Sequence, residues 1–483
     1  MNDRSIAVKG GIWTGMSTIV TMSTQILRLV ILTRFLEKSD FGLVSITNMV
    51  IGLCITFTDL GFASVIMYKK ELSKEEFSSL YWIQFFIFLI IYFFVFIIAK
   101  PISSFYQEPL LAALIPISAL SVIGQAVGKL YDSVLLKKYL FKSLTFRNII
   151  SNVTSLVLAW LLASRGYGVY SLVYSTLYQI VFFNTWNLIS GYKIQRLGFV
   201  LRFKSVVPLI KMGLYQTGTH IFDYLSGKLD VIIMGKLLGT ELLGVYDLAK
   251  ELVFKFVSLI RTIVSRVALP ILTNNNSDDE AVKKRFLSIT RVVAYICIPV
   301  CISVSIFSEP IVKILYGEKY LDAIPVVAIF SIISMFSSIA SFFDMLGVAK
   351  GRTDLNFKQT INRIIVTTPI ILITSYIGLM AVVWGLVLIT IISLTLFWRT
   401  VLMNTYPMPF KLYFTQFSKY LIVFVIVGII MGLLMWVNPI SFIDNWYVRQ
   451  SIYIIIYIVI VVLSGYKYLS DEYNYIKSFV GKS

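Results

Sequence analysis

Residues 28–46 read RLVILTRFLEKSDFGLVSI, and residues 230–249 read DVIIMGKLLGTELLGVYDLA. Each stretch ends one apolar segment, passes through a short turn with a Gly, and begins the next apolar segment. A constant shift of 202 residues aligns the two without a gap and places Gly42 on Gly244. Because the copies begin six apolar segments apart and run in the same direction, we predict two parallel six-helix lobes related by an axis along the membrane normal.

The two stretches belong to a series of fourteen apolar segments along the 483 residues. A membrane-crossing helix needs about 20 mostly apolar residues, and 58% of this chain is hydrophobic. The predicted spans are 12–33, 42–66, 79–99, 110–131, 144–164, 168–190, 206–233, 243–269, 288–307, 323–346, 360–377, 379–402, 418–437 and 449–468. We therefore predict an all-α integral membrane protein of about 14 transmembrane helices.

The repeat divides the chain into three predicted domains. Residues 1–205 form an N-terminal lobe of spans 1–6, and residues 206–402 form a C-terminal lobe of spans 7–12. Residues 403–483 add spans 13 and 14 and a cytoplasmic tail. Parallel-repeat transporters place the substrate between their lobes, so we expect a binding site there.

The lysines and arginines between the spans fall almost entirely on alternate connections. This positive-inside pattern predicts that both termini are cytoplasmic, and it counts Arg147, near the start of span 5, among the cytoplasmic charges. The net charge of +18 therefore reflects topology beside anionic lipid headgroups rather than nucleic-acid binding. No Gly-rich phosphate loop points to a nucleotide, and the three cysteines lack the His or acidic neighbours of a metal site.

Polar side chains recur at helical spacing along four spans. The stripe of span 1 comprises Thr14, Ser17, Thr18, Thr21, Thr24, Gln25 and Arg28, and that of span 7 comprises Gln216, Thr219, His220, Asp223, Ser226, Gly227 and Asp230. Span 2 carries Ser45, Asn48, Gly52, Thr56 and Asp59, and span 8 carries Asp247, Lys250, Phe254, Ser258 and Arg261, with Glu251 close by. Each set fills one side of its helix.

These stripes predict a hydrated central cavity, because a charge at mid-membrane costs about 2.5–3.5 kcal/mol even on the most lenient scale. A structural interpretation stays open beside it. In that interpretation Arg28 pairs with Asp230, and Asp59 pairs with Arg261, so that ion pairs join the lobes while hydroxyls bond neighbouring helices. Asp132 on span 4 lies towards the cytoplasmic end, where a helix-end role is expected.

Residues 27–66, LRLVILTRFLEKSDFGLVSITNMVIGLCITFTDLGFASVI, resemble the opening of the Wzx-type polysaccharide flippases of the multidrug/oligosaccharidyl-lipid/polysaccharide superfamily. The resembling features are an Arg in span 1, a Phe-Gly turn, and the Asp59-Leu60-Gly61 sequence within span 2. The second half agrees with LLGVYDLAKEL at 242–252, RVALPIL at 266–272 and EPIVKILYGEKYLDAIPVVAIFSI at 309–332. The resemblance covers nearly the whole chain and is greatest to the branch of colanic-acid exporters.

The resemblance implies a flippase for an undecaprenyl-diphosphate-linked oligosaccharide repeat unit, with no cofactor and a possible coupling ion, H⁺ or Na⁺. Together with the stripes, it assigns Arg28, Gln25, Asn48, Lys250 and Arg261 to the substrate. It assigns gating or ion coupling to a further set: Asp59, Asp223, Asp230, Asp247, Glu251 and His220. The implied partners are membrane lipids, a glycan polymerase and other polysaccharide-assembly proteins, with no nucleic acid and no nucleotide.

Two other classes remain as alternatives. An ion-coupled multidrug or other lipid or small-molecule exporter of the same superfamily is expected to line its cavity with acids and aromatics, whereas this chain places Arg28, Lys250 and Arg261 there. A membrane-embedded polymerase or glycosyltransferase generally needs a large extracytoplasmic loop, and the longest such loop here, near 438–448, offers only Asp444 as an acid. We therefore expect a transporter of the cytoplasmic membrane rather than an enzyme.

Overall fold

A computed structural model describes residues 3–58, 62–69, 72–201, 203–272, 279–340, 343, 346–347, 350–437 and 445–480. For some of these residues it describes the backbone alone, namely 3–9, 64, 68, 203–217, 219, 259, 261–272, 353 and 464–480. Within these ranges the chain is helical and contains no β-strand. The predicted all-α class is confirmed.

Sixteen helices occupy the described ranges. They are α1 (Asp3–Leu32), α2 (Lys38–Thr58), α3 (Phe62–Tyr68), α4 (Lys74–Tyr106), α5 (Leu111–Lys137), α6 (Phe141–Ser164), α7 (Val169–Tyr192), α8 (Phe203–Leu237), α9 (Gly239–Leu272), α10 (Asp279–Ile306), α11 (Ser308–Leu315), α12 (Ala323–Ala340), α13 (Thr353–Ser375), α14 (Leu379–Thr405), α15 (Phe410–Val437) and α16 (Trp446–Val480).

Ten of these helices are long and apolar enough to cross a bilayer: α1, α2, α4, α5, α6, α10, α12, α14, α15 and α16. Four more helices, α7, α8, α9 and α13, coincide with predicted spans and have at least 23 residues each. They are not among those ten, because they carry more polar residues. The chain is thus a multi-pass membrane protein, and the count of fourteen spans stays a prediction.

Span 2, predicted as one helix over 42–66, is described in two parts. These are α2 (Lys38–Thr58) and α3 (Phe62–Tyr68), and residues 59–61 between them lie outside the described residues. Lys137 of α5 donates to the carbonyl oxygens of Ile66 and Lys69, at the carboxyl end of α3. These bonds satisfy carbonyls that a helix end leaves open, so α3 is held against α5.

The chain forms two compact units, residues 1–244 and 245–483. In the first unit α5 packs against α4 and α7, α6 against α1 and α7, and α8 against α2 and α4. In the second unit α10 packs against α12 and α15, and α14 against α12 and α13. These units follow packing, whereas the predicted domain boundaries at 205 and 402 follow the repeat and stay a prediction.

The same helix neighbours recur in both halves of the predicted repeat. The third and fourth, fourth and sixth, and fifth and sixth spans of each half pack together. The core of the second unit is aromatic: the ring centroid of Phe343 lies 5.7 Å from that of Phe286 and 4.9 Å from that of Tyr413. All three side chains are fully buried.

Two repeat-equivalent glycines, Gly42 and Gly244, bring the first turns of α2 and α9 into backbone contact. A Cβ on Gly42 would overlap the carbonyl oxygen of Thr240, and a Cβ on Gly244 would overlap that of Lys38. Thr240 lies 202 residues after Lys38, so each half contributes the same two positions. The contact is therefore reciprocal between repeat-equivalent positions.

Candidate functional site

Helices α5 and α7 approach each other closely at three glycines. A Cβ on Gly128 would overlap the backbone of Asn184, one on Gly191 would lie 2.8 Å from the Tyr131 Cβ, and one on Gly124 would lie 3.2 Å from Val181. The absence of side chains lets the two backbones pack together. Polar residues that follow one another at helical spacing on both helices are thereby brought to one place.

A polar cavity of about 410 Å³ lies between these helices, within the first unit. Its walls combine charged, amide, hydroxyl and aromatic groups: Gln125, Lys129 and Asp132 from α5, and Thr176, Gln179, Ile180, Phe183 and Asn184 from α7. The volume is in the range of small-molecule sites, about 300–1,000 Å³. We call this feature the α5–α7 cavity.

A buried charge, Arg147 of α6, lies beside the cavity. Its side chain is 5% exposed, and its Nη1 donates to Asp132 Oδ1 at 2.5 Å and to the side-chain oxygen of Asn187. Its Nε and Nη2 donate to Asn148 Oδ1 at 3.2 and 3.0 Å. The guanidinium carbon lies 3.5 Å from the centroid of the Phe183 ring. A buried charge requires this degree of pairing and hydrogen bonding.

Two further hydrogen bonds connect α1 to this network. Asn148 donates through Nδ2 to Ser17 Oγ at 2.8 Å, and Asn152 Nδ2 lies 3.4 Å from Thr21 Oγ1. Gln179 of the cavity wall then donates to Asn152 Oδ1 at 3.0 Å. The polar stripe predicted for span 1 therefore contacts α6, and through α6 it reaches the cavity.

Arg28, predicted to contact the substrate, lies at the α1–α7 contact. Its Nη2 donates to Leu172 O at 3.1 Å, Ser175 Oγ at 2.5 Å and Thr176 Oγ1 at 2.9 Å. Thr176 also lines the cavity, so Arg28 stands next to one of its walls. The two N–H groups of this nitrogen share three acceptors, which fix the guanidinium while its charge stays inside the helical bundle.

The other predicted residues of the first unit lie on α1, α2 and α8. Gln25, Asn48 and His220 are exposed, and Asp223 is half-buried. Asp230 is buried, and its Oδ1 accepts from the backbone N–H of Val231 at 2.9 Å. Exposed polar side chains in the middle of a membrane helix are expected to face water rather than lipid.

Three predicted residues lie on α9 in the second unit. Asp247, Lys250 and Glu251 are half-buried. Lys250 Nζ lies 5.3 Å from the centroid of the Tyr246 ring, and Glu251 forms an ion pair with Lys255 at 2.5 Å. Buried Tyr316 donates through its hydroxyl to Leu248 O at 3.0 Å, which fastens the segment after α11 to this part of α9.

Asp59 and the side chain of Arg261 lie outside the described residues. The roles of all the predicted residues, and the pairings of Arg28 with Asp230 and of Asp59 with Arg261, stay predictions. The central cavity lined by spans 1, 2, 7 and 8 also stays a prediction.

Arg147, Asp132 and the amides on α6 and α7 were missed as site residues in the sequence. A signal was present, because polar residues at 147, 148, 151, 152 and 155, and again at 176, 179, 184 and 187, follow helical spacing. The charge count groups Arg147 with the cytoplasmic cations, whereas the structure buries it in the first turns of α6. Asp132 lines a cavity rather than serving only at a helix end.

An apolar groove of about 580 Å³ lies between α10, α11 and α16 in the second unit. Its lining is almost entirely aliphatic and aromatic: Tyr295, Ile296, Pro299, Val300, Ser303, Phe307, Ile311, Ile454, Tyr457, Ile458, Val461 and Val462. The groove therefore suits a hydrocarbon chain rather than a hydrated group.

Residues 31–325 match the family model described as polysaccharide biosynthesis protein. The chain is 26% identical over 408 residues to the lipopolysaccharide biosynthesis protein WzxC of Escherichia coli, covering 81% of this chain and 80% of that protein. It is 25% identical over 359 residues to the teichuronic acid biosynthesis protein TuaB of Bacillus subtilis, covering 72% of each.

Among solved structures, the fold is similar to that of the lipid II flippase MurJ in an inward closed conformation. The TM-score is 0.74 at 16% identity, and the match covers 96% of this chain and 99% of that one. The match extends over nearly all of both chains, so the helical architecture predicted from the repeat and the spans is that of a known membrane fold.

Proposed function

The chain belongs to the polysaccharide biosynthesis protein family, and we propose that it is a flippase for lipid-linked oligosaccharides. It moves an undecaprenyl-diphosphate-linked repeat unit from the inner to the outer leaflet of the cytoplasmic membrane by alternating access. The repeat unit then serves the assembly of a surface polysaccharide. The relatives named for lipopolysaccharide and teichuronic acid biosynthesis support this proposal, as does the similarity in fold to a lipid II flippase.

The single observation that carries the proposal is the polar network inside apolar helices. Arg28, Arg147, Lys129 and Asp132 all lie within membrane-spanning helices of the first unit, beside or on the α5–α7 cavity. Removing a sugar chain and a diphosphate from water without new hydrogen bonds is very costly. Fixed cations, amides and hydroxyls replace that water and make charge-assisted bonds to the headgroup.

The lipid part of such a substrate needs a different surface. The apolar groove of α10, α11 and α16 offers aliphatic and aromatic walls to a polyprenyl chain, and each buried CH₂ contributes about 0.8 kcal/mol. One protein that offers both a polar cavity and an apolar groove suits an amphipathic substrate better than a small hydrophilic solute.

In this proposal the diphosphate or acidic sugars contact Arg28, Lys250 and Arg261, with Gln25 and Asn48 as hydrogen-bonding neighbours. Gate pairs or the binding of a coupling H⁺ or Na⁺ are the proposed roles of a second set of residues: Asp59, Asp223, Asp230, Asp247, Glu251 and His220. No cofactor takes part, and the protein is a transporter rather than an enzyme. Both termini are cytoplasmic, and a glycan polymerase and other assembly proteins act on the product.

An ion-coupled exporter of drugs is the second candidate. A cationic drug is attracted by acids and repelled by cations, and the arginines that the structure describes in the first unit make that cargo unfavourable. Flanking glycosyltransferase genes would support the flippase, whereas a neighbouring drug-responsive regulator would support the exporter.

The test is deletion and complementation in the native host, with surface glycan and lipid-linked repeat units measured in the same cells. We expect the deletion to abolish surface glycan and to trap intact repeat units on the cytoplasmic face. Wild type restores export, and Arg28→Ala lowers it at least about tenfold, because hydrogen bonds to a charged group are lost.

Arg34→Ala is the matched control, since Arg34 is an exposed arginine just after α1. It should restore export fully at the same protein level. Normal glycan in the deletion strain would contradict the flippase, and so would single repeat units that reach the outer face without being polymerised. Full export by Arg28→Ala would contradict the role of Arg28.

A further inference from the structure

The two carboxylate oxygens of Asp132 have different surroundings. Oδ1 accepts from Arg147 Nη1 at 2.5 Å, and Asn187 Nδ2 lies 3.5 Å from it. Oδ2 accepts no hydrogen bond from any residue in the described part of the chain. The Asp132 side chain is 42% exposed, whereas that of Arg147 is 5% exposed. Oδ1 is therefore bound to the buried guanidinium of Arg147. Oδ2 remains as an acceptor in the wall of the α5–α7 cavity.

Two amide side chains that line the same cavity also use an N–H inside the protein and leave an oxygen as an acceptor. Gln179 uses Nε2 to donate to Asn152 Oδ1 at 3.0 Å, and Asn184 uses Nδ2 to donate to Ile180 O at 2.8 Å. One N–H of each amide is thus engaged inside the protein, and the carbonyl oxygens remain as acceptors. The lining combines these acceptors with the amide of Gln125 and with the ammonium group of Lys129, which lies 5.8 Å from the centroid of the Phe88 ring.

This balance of donors and acceptors distinguishes the two polar parts of a lipid-linked saccharide. A diphosphate at neutral pH offers only acceptors, so it has no hydrogen to donate to the Asp132 carboxylate or to the amide oxygens. A sugar hydroxyl both donates and accepts. It can donate to the Asp132 and amide oxygens and accept from Lys129, and a bond to an ionised carboxylate is roughly twice as strong as one between neutral groups.

We propose that the α5–α7 cavity is the saccharide subsite of the flippase, with Asp132 Oδ2 and Gln179 Oε1 accepting from sugar hydroxyls, while the diphosphate binds elsewhere. This inference rests on the proposed function and specifies which part of the substrate the cavity binds. Arg147 acts as a positioning residue, because it neutralises and orients Asp132 without lining the cavity itself.

The experiment separates the sugar from its carrier. Purified full-length protein in lipid nanodiscs is titrated with undecaprenyl diphosphate, and separately with the lipid-linked repeat unit extracted from host cells. We expect Asp132→Asn to weaken repeat-unit binding about tenfold, because a hydrogen bond to a charged group is lost. Binding of undecaprenyl diphosphate should change less than about twofold, which is below one ordinary hydrogen bond.

Gln179→Leu is the second variant, since it removes the other acceptor at similar size and does not depend on how the Asp132 variant folds. Asp354→Asn is the matched control, because Asp354 is an exposed carboxylate that pairs with Arg352 at 2.8 Å, far from the cavity along the chain. Thermal unfolding of each variant confirms that the folded protein is being compared.

Equal losses for both ligands, or repeat-unit binding unchanged in both cavity variants, would overturn the subsite. Tighter undecaprenyl diphosphate binding by Asp132→Asn would place the diphosphate in the cavity instead. A wild-type protein that binds neither ligand would contradict the proposed function as well, so the two failures are distinguishable.

Discussion

Arg147 shows how one buried charge organises three helices. Its guanidinium on α6 donates hydrogen bonds to Asp132 on α5 and to Asn187 on α7. These two partners lie 15 and 40 residues from Arg147 along the chain. A buried ion pair is not in itself strongly stabilising, because desolvation offsets much of the attraction. Breaking it from one side is costly, since the remaining charge is left unpaired.

Arg147→Met is therefore expected to destabilise the protein by about 3 kcal/mol, within the range for removal of one buried partner. The double variant Arg147→Met/Asp132→Leu should recover part of that loss, because no charge is left uncompensated. Thermal unfolding in detergent measures both. Lys138→Met is the control, since Lys138 is exposed in the turn after α5, and it should shift the unfolding temperature little.

A double variant less stable than Arg147→Met would show that the pair is not the main energetic term there. The stability of the site would then reside in the Asn148 and Asn187 hydrogen bonds rather than in the charge on Asp132.

The sequence predicts the position of some functional residues in the fold but not of others. Arg28 is identified early because it continues a polar stripe within an apolar span, and the structure places it beside the cavity wall. Arg147 lies close to a helix end among other cations, so composition cannot distinguish a loop arginine from a buried one. Its burial becomes evident only from its partners on α5 and α7, which lie 15 and 40 residues away along the chain.

Helices also come into backbone contact at glycines. The first turns of α2 and α9 touch at Gly42 and Gly244, where any Cβ would overlap a carbonyl oxygen of the facing turn. The two glycines are equivalent under the 202-residue shift, so this contact accounts for a Gly at the same place in both copies.

Gly42→Ala and Gly244→Ala are each expected to destabilise the protein by about 1–3 kcal/mol, because an added methyl forces the two backbones apart. The measurement is the unfolding temperature of the purified variants. Gly11→Ala is the matched control: a Cβ at Gly11 meets nothing within 4 Å, and Ala stabilises a helix by roughly 0.5–1 kcal/mol relative to Gly. A loss as large in Gly11→Ala would show that the contact is not responsible.

Helix positions are predictable from sequence. Helices cover almost all the described residues of the predicted spans, since some 20 apolar residues must bond their own backbone in lipid. The packing of α3 on α5 has no such signal in the sequence. It depends on Lys137, which lies 71 residues from its acceptor Ile66 along the chain.

Across the whole molecule, the alternating charges predict which loops face the cytoplasm. The three native cysteines are buried, so a membrane-impermeant maleimide should label the wild type weakly. Lys138→Cys and Arg165→Cys introduce exposed thiols at opposite ends of α6. In spheroplasts with an intact cytoplasmic membrane we expect labelling at 165 only, and labelling at both positions after permeabilisation. Labelling at 138 in intact spheroplasts would reverse the topology.

The all-helical class and the approximate positions of the apolar helices follow from the chain alone, because each depends on the apolarity of a continuous segment. The expected direction of insertion depends on loop charges, which are also local. A polar stripe, however, defines only which side of a helix is polar and not which helix it meets. The stripe of α1 meets α6 and α7, and the α5–α7 cavity arises where three glycines let two helices approach. Long-range packing alone brings Asp132, Arg147 and Asn187 together, so the candidate site required the folded molecule.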